Sequence, residues 1–337
     1  MTRFSDNQRS RPIVSVVIPT HNRLDLLQGT VASIMRQTLT GWEAIVVDDG
    51  SSDGTARWLT EREDDRLTAV ILEEHAGVTR ARNIGLERAR ADFVLFLDDD
   101  DLLLPSALRR LHHVLASDPG AIGSVGRVVQ FDERGNRRKL RWPRRTLKRV
   151  VWTDVLAWWD IYVQQALWRT DVIRAVGGWN ESITFSEGLE LMRRVSRLGP
   201  MILIPELVVA YRMHGGQLTG TVPKETRRAS EEVWLQEHIR SLPPEERALA
   251  ERVAGAYRVW RSGRDAYANL ECREGLMLYL RALRAAPFLL RSPLLRPVAI
   301  GSVAKAWMGA LIGKRGLSAV RNIRASLRRS LKRSVGR

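Results

Sequence analysis

Four apolar runs rich in β-branched residues punctuate the first hundred positions: "IVSVVIP" from Ile13, "WEAIVVDDG" from Trp42, "LTAVILEE" from Leu67 and "DFVLFLDDDD" from Asp92. Their cores are apolar at successive positions rather than at every second one. That pattern predicts strands buried on both faces, hence a parallel sheet covered by helices. The intervening segments "LDLLQGTVASIMRQT" from Leu24, "GTARWLTERED" from Gly54 and "VTRARNIGLERAR" from Val78 carry helical spacing. Strand alternating with helix predicts an α/β domain.

Polar residues gather just after these strands: Thr20, His21, Asn22 and Arg23 after the first, Asp48 to Ser52 after the second, and Asp98 to Asp101 after the fourth. In open parallel sheets ligands bind at the carboxyl ends of strands, so the three clusters are expected to share one crevice. Taken alone, "DDGSSDGT" also reads as a turn with Ser52 or Asp53 capping a helix. The four aspartates likewise have two readings. They are either a solvated acidic turn leading to a helix near Pro105, or carboxylates that raise one another's pKa until a cation neutralises them. There is no P-loop, and no G-x-G-x-x-G follows the first strand, which disfavours a Rossmann or kinase-like nucleotide site.

The chain has 337 residues, enough for one large domain with an appendage. Its single cysteine, Cys272, excludes an intramolecular disulfide and makes thiolate metal ligation a poor expectation, as suits a reducing cytoplasm. The N-terminal "MTRFSDNQRSRP" lacks the apolar core of a secretion signal. The formal charge of +16 is unevenly placed: no Asp or Glu occurs from Gly275 onward, and 14 Lys and Arg lie between Arg281 and Arg337. The rest of the protein is nearly neutral. A basic, apolar tail with no span long enough to cross a bilayer is expected to lie on an anionic membrane surface, the competing expectation being an ordinary covering helix with a basic end. No aromatic stacking platform or recognition motif accompanies the charge, so nucleic acid is not an expected partner.

Further apolar runs, "SVGRVVQF", "MILIP" and "LVVAYRMH", occupy residues 121–220, with a concentration of tryptophans at Trp142, Trp152, Trp158, Trp159, Trp168 and Trp179. Tryptophan is ordinarily core; Trp179, beside a glycine pair, is the one that invites a sugar-stacking role. Pro243 and Pro244 mark a linker, and "YRVWRSGRDAYANLECREGLMLYLRALRAAP" reads as a helical hairpin, like one tetratricopeptide unit but with too few copies to call a repeat. The expected organisation is a tail over 1–12, an α/β domain over 13–220, and a helical, basic region over 221–337.

In order, "VSVVIPTHNR", "VVDDGSSDGT", "GVTRARNIG", "FLDDDDLLLP" and "VGGWNES…SEGLEL…YRMHGG" resemble family 2 glycosyltransferases of the GT-A fold over roughly Ile13 to Gly216. The resemblance implies transfer of a sugar, with inversion, from a nucleotide-diphosphate donor to a glycan or lipid-linked acceptor, dependent on a divalent metal, Mg or Mn. It implies that Thr20, Asn22 and Arg23 line the nucleotide pocket and that Asp49 accepts a hydrogen bond from the base. Arg82 is placed near the diphosphate. Asp98 and Asp100 fit the D-x-D pattern with Asp99 in the variable slot: Asp98 and Asp99 are implied to contact the nucleotide sugar, Asp100 to be the main metal ligand with Asp98, and His214 to lie near metal and phosphates as a further ligand. Asp101 is left to cap the next helix. A transferase of this kind would work in the cytoplasm, peripheral to the inner face of the plasma membrane.

The family's base is typically the aspartate of an E-D pair. Here "SEGLELMRRV" puts Glu187 first, Gly188 in the aspartate's place and Glu190 at the later acid. Glu187 and Glu190, three apart, share a helix face, and Glu187 is the nearer substitute for the base. Thr184 and Glu187 also form a T-x-x-E capping box, which would explain Glu187 without chemistry. His75 and His21 replace the asparagine and tyrosine that the family often has. Gly188 keeps open a second function, a catalytically impaired sugar-nucleotide-binding protein; a nucleotidyltransferase ranks last because its Gly-rich loop is absent.

Overall fold

A computed structural model describes residues 11–132, 134–139, 148–157, 161–215, 217, 222–290, 299–308 and 310–311. The expected strands form as β1 (Val14–Thr20), β2 (Trp42–Asp48), β3 (Leu67–Ile71) and β4 (Phe93–Phe96). The helices between them are α1 (Leu24–Met35), α2 (Thr55–Thr60) and α3 (Val78–Arg88). β1 pairs in parallel with both β2 and β4, and β2 with β3. β1, β2 and β4 are buried along their whole length, as continuous apolar runs require. β3 is different: it is the edge strand and is partly exposed, with Ile71 41% accessible.

The chain then adds β5 (Leu102–Leu103), α4 (Ala107–Ala116), β6 (Gly123–Asp132), β7 (Arg137–Lys139), β8 (Lys148–Val150), α5 (Trp152–Ala157), β9 (Ala166–Arg169), α6 (Thr170–Ala175), α7 (Glu187–Val195) and β10 (Met201–Met213). The sheet runs in the order β3-β2-β1-β4-β9-β6-β10-β5, with β7 on β6 and β8 on β10. β9 lies antiparallel between β4 and β6, while β6 and β10 form a long parallel ladder. "MILIP" and "LVVAYRMH" are therefore one strand, and its register shifts between Leu203 and Val209 absorb the interruption at Pro205. α1 and α4 cover one face of the sheet through Leu27, Val31, Ile34, Leu108, Leu111 and Leu115, all in one buried cluster with Ile18, Val46 and Leu95.

The two ends of the strands carry different polar chemistry. At the amino end, the buried Glu43 accepts from Ser15 Oγ (2.6 Å) and from the Arg90 backbone N–H and Nε (2.8 Å each), closing a structural ion pair. The site lies at the carboxyl end.

Two compact units divide the described residues, one running to His238 and the other from Ile239 onward with Leu156 and Ala157. α8 (Lys224–Ser241) runs across that boundary. In the second unit, α9 (Pro244–Ala268) and α10 (Cys272–Ala285) form the expected hairpin. Pro244 is the first residue of α9, where a missing N–H costs nothing, so the proline pair starts a helix rather than spanning a long linker. The hairpin closes tightly at Gly263 and Gly275: a Cβ on Gly275 would lie 2.9 Å from the Gly263 carbonyl oxygen.

In the first unit, burial and then Arg193, Arg197 and Arg194 push His238 down to about 4. The folded state therefore holds this imidazole neutral, while the unfolded chain protonates it near its ordinary 6.5. The contribution is complete above pH 6.5 and is lost as pH falls toward 4, because the unfolded state then binds the extra proton. Thermal melts across that window are expected to show His238→Leu losing less stability on acidification than the parent; parallel curves would remove His238 as a cause.

Candidate active site

The three polar clusters after β1, β2 and β4 do meet at the carboxyl edge of the sheet. Thr20 Oγ1 donates to Asp99 Oδ2 at 2.8 Å, and Arg23 Nη1 reaches Asp99 Oδ1 at 3.2 Å and Asp100 Oδ2 at 3.1 Å. Asn22, at φ +53°, takes the Ser52 N–H on Oδ1 (2.7 Å) and gives its own N–H to Ser51 Oγ (2.8 Å), which fastens the β1 and β2 loops together. Asp53 caps two helices at once, accepting from Leu24 N–H at the start of α1 and Thr55 N–H at the start of α2. That capping was legible in the sequence for α2 only.

Asp49 is 2% exposed, and its carboxylate accepts from the Ala76 and Gly77 N–H groups (2.7 and 2.9 Å) and from His75 Nδ1 (2.9 Å). It ties the loop before α3 to the end of β2; a bond to a nucleobase would be a further one. His21 Nδ1 donates to the Asp49 carbonyl at 2.7 Å, and the two histidine rings lie 4.2 Å apart.

The aspartate run is not a solvated turn. Asp99, Asp100 and Asp101 are 5%, 6% and 0% exposed. Burial and Asp100 outweigh Arg23 and push Asp99 up to about 6. Burial and then Asp98 raise Asp100, against His214 and Arg23, and burial with Asp98 and Asp100 holds Asp101 well above the ordinary carboxylate range. Ligand atoms of Asp98, Asp100 and Asp101 lie within 4.8 Å of one another. Close, buried, mutually repelling oxygens are the donor set of a hard divalent cation, so the residues present fit such an ion.

Their neighbours sort them. Asp101 accepts from the Arg212 backbone N–H (2.9 Å) and Gln164 Nε2 (2.7 Å), and the residue before α4 is Ser106. Asp101 thus anchors β10 to the turn; it does not cap the helix. Asp99 is bonded to Thr20 and Arg23, two residues that the resemblance places in the nucleotide pocket. Asp98 is the most accessible of the four, one-third exposed, while Asp100 is as buried as Asp99. His214 Nε2 lies 3.0 Å from Asp100 Oδ2.

Arg82 projects from α3 and is 4% exposed. Nη2 donates to Asp98 Oδ1 at 2.7 Å and Nη1 to Glu187 Oε1 at 3.0 Å, while the guanidinium stacks 4.3 Å from the Trp179 ring centroid. Burial works against the charge, yet Asp98 and Glu187 hold the Arg82 pKa above its ordinary value. Trp179, 2% exposed, is a platform for Arg82 and not a sugar-stacking surface; Trp168 is fully buried, and Trp142, Trp158 and Trp159 fall outside the described residues.

α7 begins at Glu187 with Ser186 before it in the left-handed region (φ +59°), so Thr184 sits outside the helix start and the capping box does not form. Glu190 is clamped by Arg194, whose Nε and Nη2 lie 2.5 and 2.7 Å from its carboxylate. Arg194 also binds the Val176 and Gly178 carbonyls, so Glu190 fixes the loop carrying Trp179. Glu187 alone of the two is joined to the aspartate cluster.

Gly188 has a packing reason. A Cβ there would overlap Val163 Cγ2 in the turn before β9. Gly188→Asp is therefore expected to destabilise by about 1–3 kcal/mol and to leave activity unimproved. Adding Val163→Ala removes the clash and is expected to recover the melting temperature. If Gly188→Asp alone melts like the parent, the overlap does not explain the glycine.

Residues 15–174 match the family described as glycosyl transferase family 2, a span that holds Thr20, Arg23, Asp49, Arg82 and the aspartate run but not Glu187 or His214. Over 96 residues the chain is 34% identical to the UDP-Glc:alpha-D-GlcNAc-diphosphoundecaprenol beta-1,3-glucosyltransferase WfgD of Escherichia coli, covering 28% of this chain and 38% of that one. Over 103 residues it is 41% identical to the GalNAc(5)-diNAcBac-PP-undecaprenol beta-1,3-glucosyltransferase of Campylobacter jejuni, covering 30% and 33%. The chain thus spans about a third of the length of these relatives. Its fold is similar to that of S. aureus TarS 1–349, solved in complex with UDP-GlcNAc, with a TM-score of 0.62 over 88% of this chain and 89% of that one at 17% identity. Over residues 15–174 the chain is thus similar to glycosyl transferase family 2, and its overall fold is similar to that of TarS, in line with the GT-A fold that the sequence resemblance implies.

Proposed function

We propose that this protein transfers a sugar from a nucleotide-diphosphate donor to a glycan or lipid-linked acceptor with inversion. The observation that carries the reading is the chain of contacts from Asp100 and Asp98 through Arg82 to Glu187. It sets a carboxylate pair suited to a cation, a guanidinium suited to a diphosphate, and the Arg82-bound carboxylate of Glu187 side by side. The β1 and β2 loops, with Thr20, Asn22, Arg23 and Asp49, take the nucleotide.

Asp98 and Asp100, with His214 beside them, would hold Mg or Mn, and when bound the ion supplies positive charge against the departing diphosphate. The protein's own residues do the rest. Arg82, desolvated and seated over the Trp179 ring, offers a fork of N–H donors to the same phosphate oxygens. Glu187 accepts the proton of the acceptor hydroxyl while that oxygen bonds to the anomeric carbon. The carbon–phosphate oxygen bond breaks on the opposite face and the diphosphate leaves with its electron pair. As the diphosphate engages Arg82, the guanidinium loosens from Glu187, which gives Glu187 its freedom to act as base only in the loaded site.

The similar glucosyltransferases of Escherichia coli and Campylobacter jejuni, named for undecaprenol-linked acceptors, support turnover on lipid-linked glycans over a binding-only role. The positive C-terminal charge supports work on the inner face of the plasma membrane; residues 312–337 of that tail lie outside the described residues. The test is a thermal-shift screen of sugar nucleotides with and without manganese, followed by nucleoside diphosphate release with the stabilising donor. Stabilisation by one donor class with metal-dependent release is expected. Donor binding without release across lipid-linked and glycan acceptors would favour the impaired, binding-only protein.

A further inference from the structure

The helix at residues 299–308, which continues at 310–311, is apolar on two sides. Ala299 and Ala306 are buried, and Ser302 on that same side hydrogen-bonds the buried Tyr279 of α10, so one face is docked within its own unit. The other face carries Ile300 (55% exposed), Trp307 (56%), Met308 (54%) and Leu311 (67%), with exposed Ala304 among them. Spacings of 4, 3, 1 and 3 residues along the sequence place all five within a single stripe of an α-helix. Scattered exposed apolar residues need no explanation; four large ones on one stripe with a tryptophan among them do.

We infer that this stripe is a lipid-insertion face that lies in the plane of an anionic membrane, with the basic tail supplying attraction to the headgroups. Charge complementarity selects this occupant. Lys305 is the helix's one charged residue, there is no acidic residue from Gly275 to the end, and the 14 basic residues from Arg281 onward flank the stripe on both sides in sequence. A protein partner would have to present a matching acidic rim, and a second copy of this chain would bring its own positive charge against it. No described helix is long and apolar enough to cross a bilayer, which leaves the in-plane arrangement. The tryptophan suits it, since the indole favours the boundary between headgroups and acyl chains.

The inference rests on the proposed lipid-linked acceptor only for its biological sense, and its test is independent of catalysis. The full chain is floated with vesicles of phosphatidylcholine alone and of phosphatidylcholine with equimolar phosphatidylglycerol, at low and at high salt. The parent is expected to float with the anionic vesicles and to stay partly bound in high salt, because insertion is not screened as charge is. A Trp307→Ser/Met308→Ser/Leu311→Ser variant is expected to melt like the parent and to release nucleoside diphosphate from the donor at the parent's rate. Its partitioning in high salt is expected to fall on the order of 100-fold, as three half-exposed apolar side chains no longer enter lipid. Parent-like flotation of the variant in high salt overturns the proposal, as does a parent that binds neither vesicle. A variant that instead dissociates a dimer in sedimentation assigns the stripe to a second copy and also overturns it. Should the donor assay itself fail in the parent, the catalytic reading falls while the flotation result still stands.

Discussion

Asp100→Ala is expected to abolish metal-dependent release of nucleoside diphosphate, by on the order of 10³-fold or more in kcat/KM, with a fold that survives. The size follows from what Asp100 holds together. It sits at 6% exposure between Arg23 Nη1 and His214 Nε2, and its pKa is already raised by burial and by Asp98. A carboxylate kept under that strain gains most from a cation, and the departing diphosphate loses its main counter-charge when the carboxylate is removed. A cost of several kcal/mol corresponds to that factor. Removing one of several crowded carboxylates also relieves repulsion, so the unliganded variant is expected to melt at or above the parent's temperature. The informative control is Asp101→Asn. Asp101 accepts from Gln164 and the Arg212 backbone, and its replacement is expected to cost stability more than chemistry. If calorimetry with manganese and donor shows Asp100→Ala binding the ion as the parent does, the cation is not held where the carboxylates converge, and the proposed mechanism loses its electrostatic centre.

Glu187→Gln is expected to lower kcat by about 10²–10⁴-fold while leaving donor affinity within a few-fold of the parent. Gln keeps the shape and still accepts a hydrogen bond from Arg82, so a purely structural role for Glu187 would survive the change. Only proton acceptance is lost. Arg82→Lys separates the two duties of the guanidinium. One ammonium cannot span Asp98 and Glu187 while seated over the Trp179 ring, so both donor binding and kcat are expected to fall. The combination Glu187→Gln/Gly188→Asp/Val163→Ala tests the geometry further, because it restores a carboxylate at the adjacent helical position with room to fit. Partial recovery of turnover is the expected result. A Glu187→Gln enzyme with the parent's kcat would leave the base role unassigned, since Glu190 is held by Arg194, which also binds the Val176 and Gly178 carbonyls.

Much of this architecture could be read from the chain itself. Continuous apolar runs gave β1, β2 and β4 their burial on both faces, and helical spacing between them gave the parallel order, because both signals are local and periodic. β3 has the same kind of sequence but ended at the edge, since position in a sheet is decided by neighbours and not by a strand's own residues. The two apolar runs around Pro205 were one strand for a related reason: the ladder to β6 tolerates a register shift that no local rule foresees. Asp98 to Asp101 announced a buried acidic site, but the division of labour among them came from partners up to 114 residues away: Gln164, Arg212 and His214.

By itself, then, the sequence determined the α/β class, the meeting of three loops at one sheet edge and a positive tail; Asp100, Arg82 and Glu187 entered as expectations that the family resemblance carries. Only the tertiary structure decided that Asp101 bonds Gln164 and Arg212, that Asp99 bonds Thr20 and Arg23, that Arg194 holds Glu190 and Trp179 holds Arg82, that Val163 excludes a side chain at 188, and that one face of the helix over 299–308 and 310–311 is left apolar and exposed. The physical reason is range. Periodicity and capping are set within a few residues, whereas the duty of a charged or apolar group is fixed by which distant donors reach it and by what space its neighbours leave.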